Sequence, residues 1–289
     1  MASAIHTVGI ISKPRKEDLC AIVPGLTEWL KGRGLEVLYD EETAKCVGSP
    51  ALAVERGELG RRADLAVVLG GDGTLLAAAR ALDEHDIPVL AINLGGLGFL
   101  TSFPREDLYA ALELALAGNY RISERVLLEV ALERGGTTSA RHRALNDVVI
   151  NKAAMARILD LDLYFDGGYA CSYKADGIIF ATPTGSTAYS LSAGGPILYP
   201  YVGAFVVTPI CPHALSNRPL VVPDTMKIEL VVASGQEAAF LTIDGQVGVE
   251  LHDGDRVVVT KSRNKFRLVR PPGKLYFEIL RAKLKWGAR

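Results

Sequence analysis

The residues able to do chemistry in this chain gather in three places. The first is Gly70-Gly71-Asp72-Gly73-Thr74, which follows an apolar run ending at Leu69 and precedes a second one over 75–82. Glycines at such a place let a ligand approach the backbone, and the start of a helix offers unpaired N–H groups to an anion. Together they describe a phosphate site at the carboxyl end of a parallel strand. A carboxylate beside phosphates repels them unless it takes a proton or touches a metal ion. Asp72 therefore points to phosphoryl transfer, either as a base toward a hydroxyl or as a Mg²⁺ contact. The plain structural reading of the same residues is a tight turn with a capping Asp or Thr.

The second place is 182–196, TPTGSTAYSLSAGGP, where hydroxyl residues, three glycines and Tyr189 fall within fifteen positions. Such a stretch is neither a core strand nor an amphipathic helix. It supplies backbone and hydroxyl donors, with Tyr189 as a flat surface for a base, and compact domains rarely keep so long a loop without use. Third come Asn146-Asp147, at the head of a β-branched run, and Asp176, just ahead of the run 177–181. Carboxylates and amides at strand ends can grip ribose hydroxyls or a base edge; singly, each reads as a turn residue. No G-x-x-x-x-G-K-[ST] occurs, which excludes a P-loop NTPase, and no G-x-G-x-x-G opens a helix after the first strand. Gly95-Gly96-Leu97-Gly98 has the wrong spacing and reads as an ordinary glycine loop, so a hydride-transfer dehydrogenase loses support.

The elements that must position these residues divide near residue 124. Before it, strands at 6–12, 35–39, 63–69 and 88–93 alternate with helices at 17–31, 75–82 and 105–117, the pattern of parallel βαβ units. Pro24-Gly25 is expected to kink or split the first helix. After residue 124 the chain is β-rich, with strands at 126–133, 144–151, 159–165, 177–181, 201–208, 227–232 and 255–260. Turns of hairpin type fall at Asp166-Gly-Gly, Asp244-Gly and Asp253-Gly-Asp. Helix candidates then nearly vanish until 274–284.

Composition sets the outer bounds. The 289 residues are 49% hydrophobic and 22% charged, enough for a packed core. Lys+Arg total 32 against 33 Asp+Glu, a net charge of −1, which speaks against general binding to nucleic acid or to an anionic membrane. No apolar run approaches a membrane span, and residues 1–6 lack the basic-then-apolar pattern of a secretory signal, so a soluble, intracellular protein is expected. Cys20, Cys46, Cys171 and Cys211 form no C-x-x-C pair, predicting buried thiols rather than a disulfide framework or a zinc site. The five histidines show no ligand spacing. From residue 261 to 289 there are ten Lys/Arg and one acid, leaving 22 basic residues against 32 acidic ones in the remainder. That segment reads as a solvated basic face, or as a counter-surface for phosphates or an acidic neighbouring subunit.

In combination, these blocks closely resemble the NAD kinase family, specifically its bacterial branch. The resemblance rests on GGDGT at 70–74, LNDVVI at 145–150, KADG at 174–177, the whole TPTGSTAYSLSAGGP stretch, TPICPHALSNRPL at 208–220 and IDGQ at 243–246. It implies transfer of the ATP γ-phosphoryl group, with polyphosphate as an alternative donor, to the 2′-hydroxyl of the adenosine ribose of NAD. Asp72 then matches the catalytic base, with Gly73 against the same nucleotide and Gly70, Gly71, Gly73 and Thr74 as the phosphate loop. Asn146 and Asp147 match an Asn-acid pair that holds the ribose and nicotinamide side, with Asp here where many members have Glu. Asp176 matches the acid that contacts the substrate's amide or amino group. Thr187, Ala188, Tyr189, Ser190, Leu191 and Ser192 match the loop around adenine and ribose, and Gln246 a late contact. Arg157 and Lys174 fall where the family has a basic or imidazole side chain near the dinucleotide, and each also reads as a solvated cation.

The same resemblance implies an α/β domain over 1–124 with a Rossmann-like parallel sheet, a β-sandwich dinucleotide-binding domain over 125–268, and a segment at 269–289 packing back on the first domain. It implies Mg²⁺ brought with ATP, no metal held by fixed protein ligands, NAD and ATP as substrates, and a cytoplasmic homodimer or homotetramer. Asp72→Asn is expected to leave folding intact and to cut turnover by orders of magnitude. Two rivals stand: a lipid kinase of the diacylglycerol or sphingosine type, opposed by the polar stretch 182–192, and a non-catalytic NADP(H) sensor, opposed by an intact Asp72.

Overall fold

A computed structural model describes residues 5–13, 17–82, 84–96, 98–101, 103–153, 157–233, 235, 238–271, 273 and 276–286. Expectations that fall on residues 1–4, Leu97, residues 274–275 and Arg289 lie outside that description. The chain forms two compact units, Met1–Glu124 with Phe266–Arg289, and Arg125–Lys265.

The first unit runs β1 (Thr7–Ser12), α1 (Glu17–Lys31), β2 (Glu36–Tyr39), α2 (Glu41–Cys46), α3 (Arg56–Arg62), β3 (Leu65–Leu69), α4 (Asp72–Leu82), β4 (Pro88–Asn93), β5 (Phe103–Pro104) and α5 (Leu108–Leu116). β2, β1, β3 and β4 lie side by side in that order, all parallel. All five residues of β3 are buried, as a strand covered on both faces requires. Because β1 lies between β2 and β3, the order reverses there, and the strand ends at Ser12 and Leu69 flank the crevice where such sheets bind ligands.

Several local expectations shift. α1 is continuous through Pro24, so the expected split does not occur. Leu19, Val23, Leu26 and Leu30 are buried along one stripe, and at about 1.5–3 kcal/mol each they outweigh the ~3 kcal/mol of an interior proline. α4 begins at Asp72 rather than Leu75, because the Gly71 carbonyl already accepts from the Thr74 and Leu75 amides at 3.0 and 3.2 Å. The helix expected over 105–117 opens instead as a 3₁₀ turn, Arg105–Asp107. The thiol expectation is corrected too. Cys20 on α1 and Cys46 on α2 form a disulfide with Cα atoms 4.5 Å apart, while Cys171 is half-buried and Cys211 exposed. The 26-residue separation hid a pair that the return of the chain through β2 brings together.

The second unit contains β6 (Arg121–Arg134, entering from the first), β7 (Thr137–Ala144), β8 (Asp147–Lys152), β9 (Leu159–Phe165), β10 (Gly168–Ala175), β11 (Gly177–Ala181), α6 (Tyr189–Ser192), β12 (Ala204–Ile210), β13 (Leu220–Pro223), β14 (Ile228–Val232), β15 (Ala239–Ile243) and β16 (Val247–Leu251). β17 (Arg256–Arg270) ends in the first unit, which α7 (Tyr276–Leu284) completes. One antiparallel sheet runs β13-β12-β11-β8-β15-β16, and β10, β9, β14 and the first part of β17 form the facing ladder. Val148, Ile150, Ile178 and Phe180 from the first sheet share one core with Leu161, Leu163, Leu230 and Val257 from the second, a β-sandwich. In the first unit, Arg267 and Leu268 at the end of β17 pair in parallel with Pro88 and Val89 of β4. Among the described residues no helix is long and apolar enough to cross a membrane.

Candidate functional site

The glycine-rich loop after β3 extends the sheet before it turns: the Gly70 amide donates to the Ile92 carbonyl at 3.0 Å. Asp72 then stands in the first turn of α4, half-buried, with its carboxylate turned to the segment that follows β4. Oδ2 accepts from the Phe99 amide at 2.8 Å. Oδ1 accepts from the amides of Leu100 and Thr101 at 3.2 and 3.1 Å and from Thr101 Oγ1 at 3.1 Å. Thr101 is buried, and its hydroxyl also accepts from Asn93 Nδ2 at 2.9 Å, while the same amide group donates to the Gly96 carbonyl at 2.7 Å. A Cβ at Gly98 would overlap both Asp72 Oδ1 and Thr101 Oγ1. The loop read as ordinary in the sequence thus wraps the carboxylate, and its last glycine is required by close approach. With four bonds to the segment after β4, the Asp72 carboxylate holds structure, so Asp72→Asn is not expected to leave folding untouched.

In the second unit three chain segments converge at one end of the sheet. Asp147 opens β8, Ala181 pairs with it at the end of β11, and Ile243 ends β15 opposite Val148. Beyond those ends lie Asn146, the segment from Thr182, and the turn at Asp244. They line a cleft of about 360 Å³ with Asn146, Asp147, Val149, Asn151, Ala188, Tyr189, Thr242, Asp244 and Gly245 on its walls. Asp147, Val149 and Asn151 alternate along β8 and so face the same side.

The hydroxyls of 182–192 mostly fold the segment itself. Thr182 Oγ1 donates to the Leu145 carbonyl at 2.6 Å and accepts from the Gly185 amide at 3.0 Å. Ser186 Oγ donates to the Pro183 carbonyl, and Ser190 Oγ meets Thr208 Oγ1 at 2.9 Å; both serines are fully buried. A Cβ at Gly185 would overlap the Asn146 carbonyl, which seats this segment directly on the head of β8.

Of the residues expected from sequence, Asn146, Asp147, Ala188 and Tyr189 share the cleft. Thr187 and Leu191 are half-buried beside it, Ser192 is exposed, and Ser190 points inward. Gln246 is exposed, next to Gly245 of the cleft wall. Asp176 precedes Gly177, the partner of Asn151, and its carboxylate takes Lys152 at 3.0 Å. Lys174 is exposed and paired with Asp160 at 3.3 Å, and Arg157 is exposed. Gly70, Gly71, Gly73 and Thr74 stay in the first unit with Asp72.

Burial, reinforced by the charge of Asp244, pushes the Asp147 carboxyl up to about 7, against the pull of the Tyr189 amide that donates to it. Asp147 can therefore exchange a proton near neutrality. Sequence reasoning read Asp244 as a hairpin turn within the IDGQ block and gave it no part in the site, and it missed Thr101 and Asn93. The one signal for Asp244 was an acid rather than an asparagine ahead of the turn glycine.

Comparison with known proteins accounts for both units. Residues 8–120 match the ATP-NAD kinase N-terminal domain and residues 145–271 the ATP-NAD kinase C-terminal domain. An NAD kinase of Solibacter usitatus is 51% identical over 285 residues, 99% of each chain, and one of Koribacter versatilis is 51% identical over 286. Among solved structures, a yeast NADH kinase complexed with NADH superposes with a TM-score of 0.90 at 28% identity, covering 99% of this chain and 89% of that one. An NAD kinase from Archaeoglobus fulgidus in complex with ATP gives 0.76 at 27%, covering 96% and 98%. With a carboxylate set in a glycine-rich loop, a polar cleft on a β-sandwich, and half-identical relatives matched from end to end, the chain belongs to the NAD kinase family.

Proposed function

We infer that the protein is an NAD kinase that moves the γ-phosphoryl group of ATP to the 2′-hydroxyl of the adenosine ribose of NAD, giving NADP. The observation that carries this reading is the end-to-end match to NAD kinases joined to an intact Gly70–Thr74 loop whose aspartate is held by four hydrogen-bond donors. A sugar hydroxyl is a poor nucleophile, and a carboxylate within hydrogen-bond reach takes its proton as the P–O bond forms. Oδ1 is committed to three donors and Oδ2 to the Phe99 amide, so Oδ2 is the oxygen left to act as base.

The cleft holds the dinucleotide. Asn146 and Asp147 take ribose hydroxyls, Asp176 an amide or amino group, and Thr187 to Ser192 with Gln246 the remaining edge, while Tyr189 offers a stacking face. Lys174 and Arg157 supply positive charge at the surface near the dinucleotide. Among the described residues no group of three His, Cys, Asp or Glu side chains is placed to hold a metal ion, and the Asp72 carboxylate in the phosphate loop already accepts four bonds. That donor set fits a divalent ion carried mainly by the donor's phosphates and water rather than by side chains. When bound, Mg²⁺ neutralises charge on those phosphates. The same reading carries a cytoplasmic homodimer or homotetramer.

The test is NADP formation from NAD with Mg-ATP, with polyphosphate, and with neither, by wild type and Asp72→Asn. Turnover in the variant is expected to fall at least about 10²-fold with NAD still bound. Near-normal turnover would remove Asp72 from the base role. No NADP from a folded protein that binds NAD would favour a sensor.

A further inference from the structure

The turn between β15 and β16 does more than reverse the chain. Asp244 and Gly245 both have positive φ, +48° and +64°, and the Gln246 amide closes the turn on the Ile243 carbonyl at 2.9 Å. Asparagine would suit that backbone at least as well as aspartate. The side chain explains the choice. The β8–β15 ladder ends at Val148 opposite Ile243, so the amides at the head of β8 and just ahead of it have lost their strand partner. Asp244 is buried, and its carboxylate takes their place. Oδ2 accepts from the Leu145 amide at 3.1 Å, and Oδ1 from Asn146 at 2.8 Å and Asp147 at 3.2 Å; in return its own amide donates to the Asp147 carbonyl at 2.9 Å. Three convergent donors need an acceptor on both oxygens. An amide side chain would turn its NH₂ against at least one of them.

We propose that Asp244 is the positioning residue of the dinucleotide cleft, fixing the Leu145-Asn146-Asp147 backbone so that Asn146 and Asp147 face the substrate. This rests on reading the cleft as the NAD site. Asp244 itself lines the wall beside Gly245, yet its oxygens are spent on the backbone, so it acts through the residues it holds. The Thr182 amide on the Asn146 carbonyl, at 2.9 Å, fixes the opposite side of the same segment.

Two measurements test it. In wild type, hydrogen exchange at Leu145, Asn146 and Asp147 is expected to be as slow as at the paired amides of β8; fast exchange at those three would overturn the proposal without any variant. Asp244→Asn is then assayed for NAD and ATP separately. The expected result is a KM for NAD raised at least tenfold and a KM for ATP within twofold, with faster exchange at residues 145–147 and unchanged exchange within β8. A folded variant with unchanged KM for NAD and unchanged exchange refutes the proposal, as does an equal rise in both KM values with protection lost throughout the unit. If wild type fails to bind NAD, the reading of the cleft falls, while the exchange pattern still decides whether Asp244 holds the segment.

Discussion

Asp147 gives a prediction with a sign and a size. Its carboxyl rises from an ordinary 3.8 to about 7 in the folded protein, first through burial and then through the charge of Asp244. A folded-state value above the unfolded one means that the native state binds the proton more tightly. The contribution to stability is complete below about pH 4 and is lost as pH climbs through 7. A rise across about three pH units, at about 1.4 kcal/mol for each, amounts to roughly 4 kcal/mol. The residue is only 5% exposed, so solvent screening does little to reduce this. The perturbation is Asp147→Asn, which removes the titration and keeps the shape. Urea unfolding of both proteins from pH 4 to 8 leaves in the difference only Asp147 and the Asp244 charge linked to it, every other titrating group being common to both. The variant's stability relative to wild type is expected to rise by about 4 kcal/mol over that range, most of it between pH 4 and 7. A difference flat to within about 1 kcal/mol would show that Asp147 ionises freely in the fold, and that burial and Asp244 do not govern it.

The remaining predictions concern what holds each half of the site. Thr101→Val removes the hydroxyl that bridges Asn93 and Asp72, and should cost about 1–3 kcal/mol in thermal unfolding and lower kcat with little change in KM for NAD. Thr101→Ser should restore both, and a Val variant with normal kcat would deny the hydroxyl a part in placing Asp72. Gly185→Ala drives a methyl group into the Asn146 carbonyl, and should destabilise by about 1–3 kcal/mol and weaken NAD binding more than ATP binding. Unchanged NAD affinity there would mean that the head of β8 can yield.

Sequence carried the parts of this molecule that are local. β1, β3 and β4 were legible because strands buried on both faces are continuous apolar runs, and Gly70–Thr74 because glycines, an acid and a helix start are adjacent in the chain. The hairpin at Asp244-Gly245 was legible as a turn for the same reason. α2 and α3 were not, being 6 and 7 residues long, each under two turns and too short for a hydrophobic period to show. What pattern cannot carry is a side chain whose partner lies far along the chain: Asp72 with Thr101, Cys20 with Cys46, Asp244 with Asn146 across ninety-eight positions. In each of these the residue type looked sufficient at its own position, as a base, a thiol or a turn former, and the local explanation closed the search. The two carboxylate contacts share a logic. A buried carboxylate needs donors, and an amide beyond the end of its strand ladder needs an acceptor, so each unmet group implies a partner before any fold is known. Asp244 is the clearest case, because aspartate in a turn that suits asparagine already asks which amides its second oxygen serves. The chemistry of the site is written in the motifs, but the precision of the site lies in these distant acceptors, where a one-atom change from oxygen to NH₂ should be felt first.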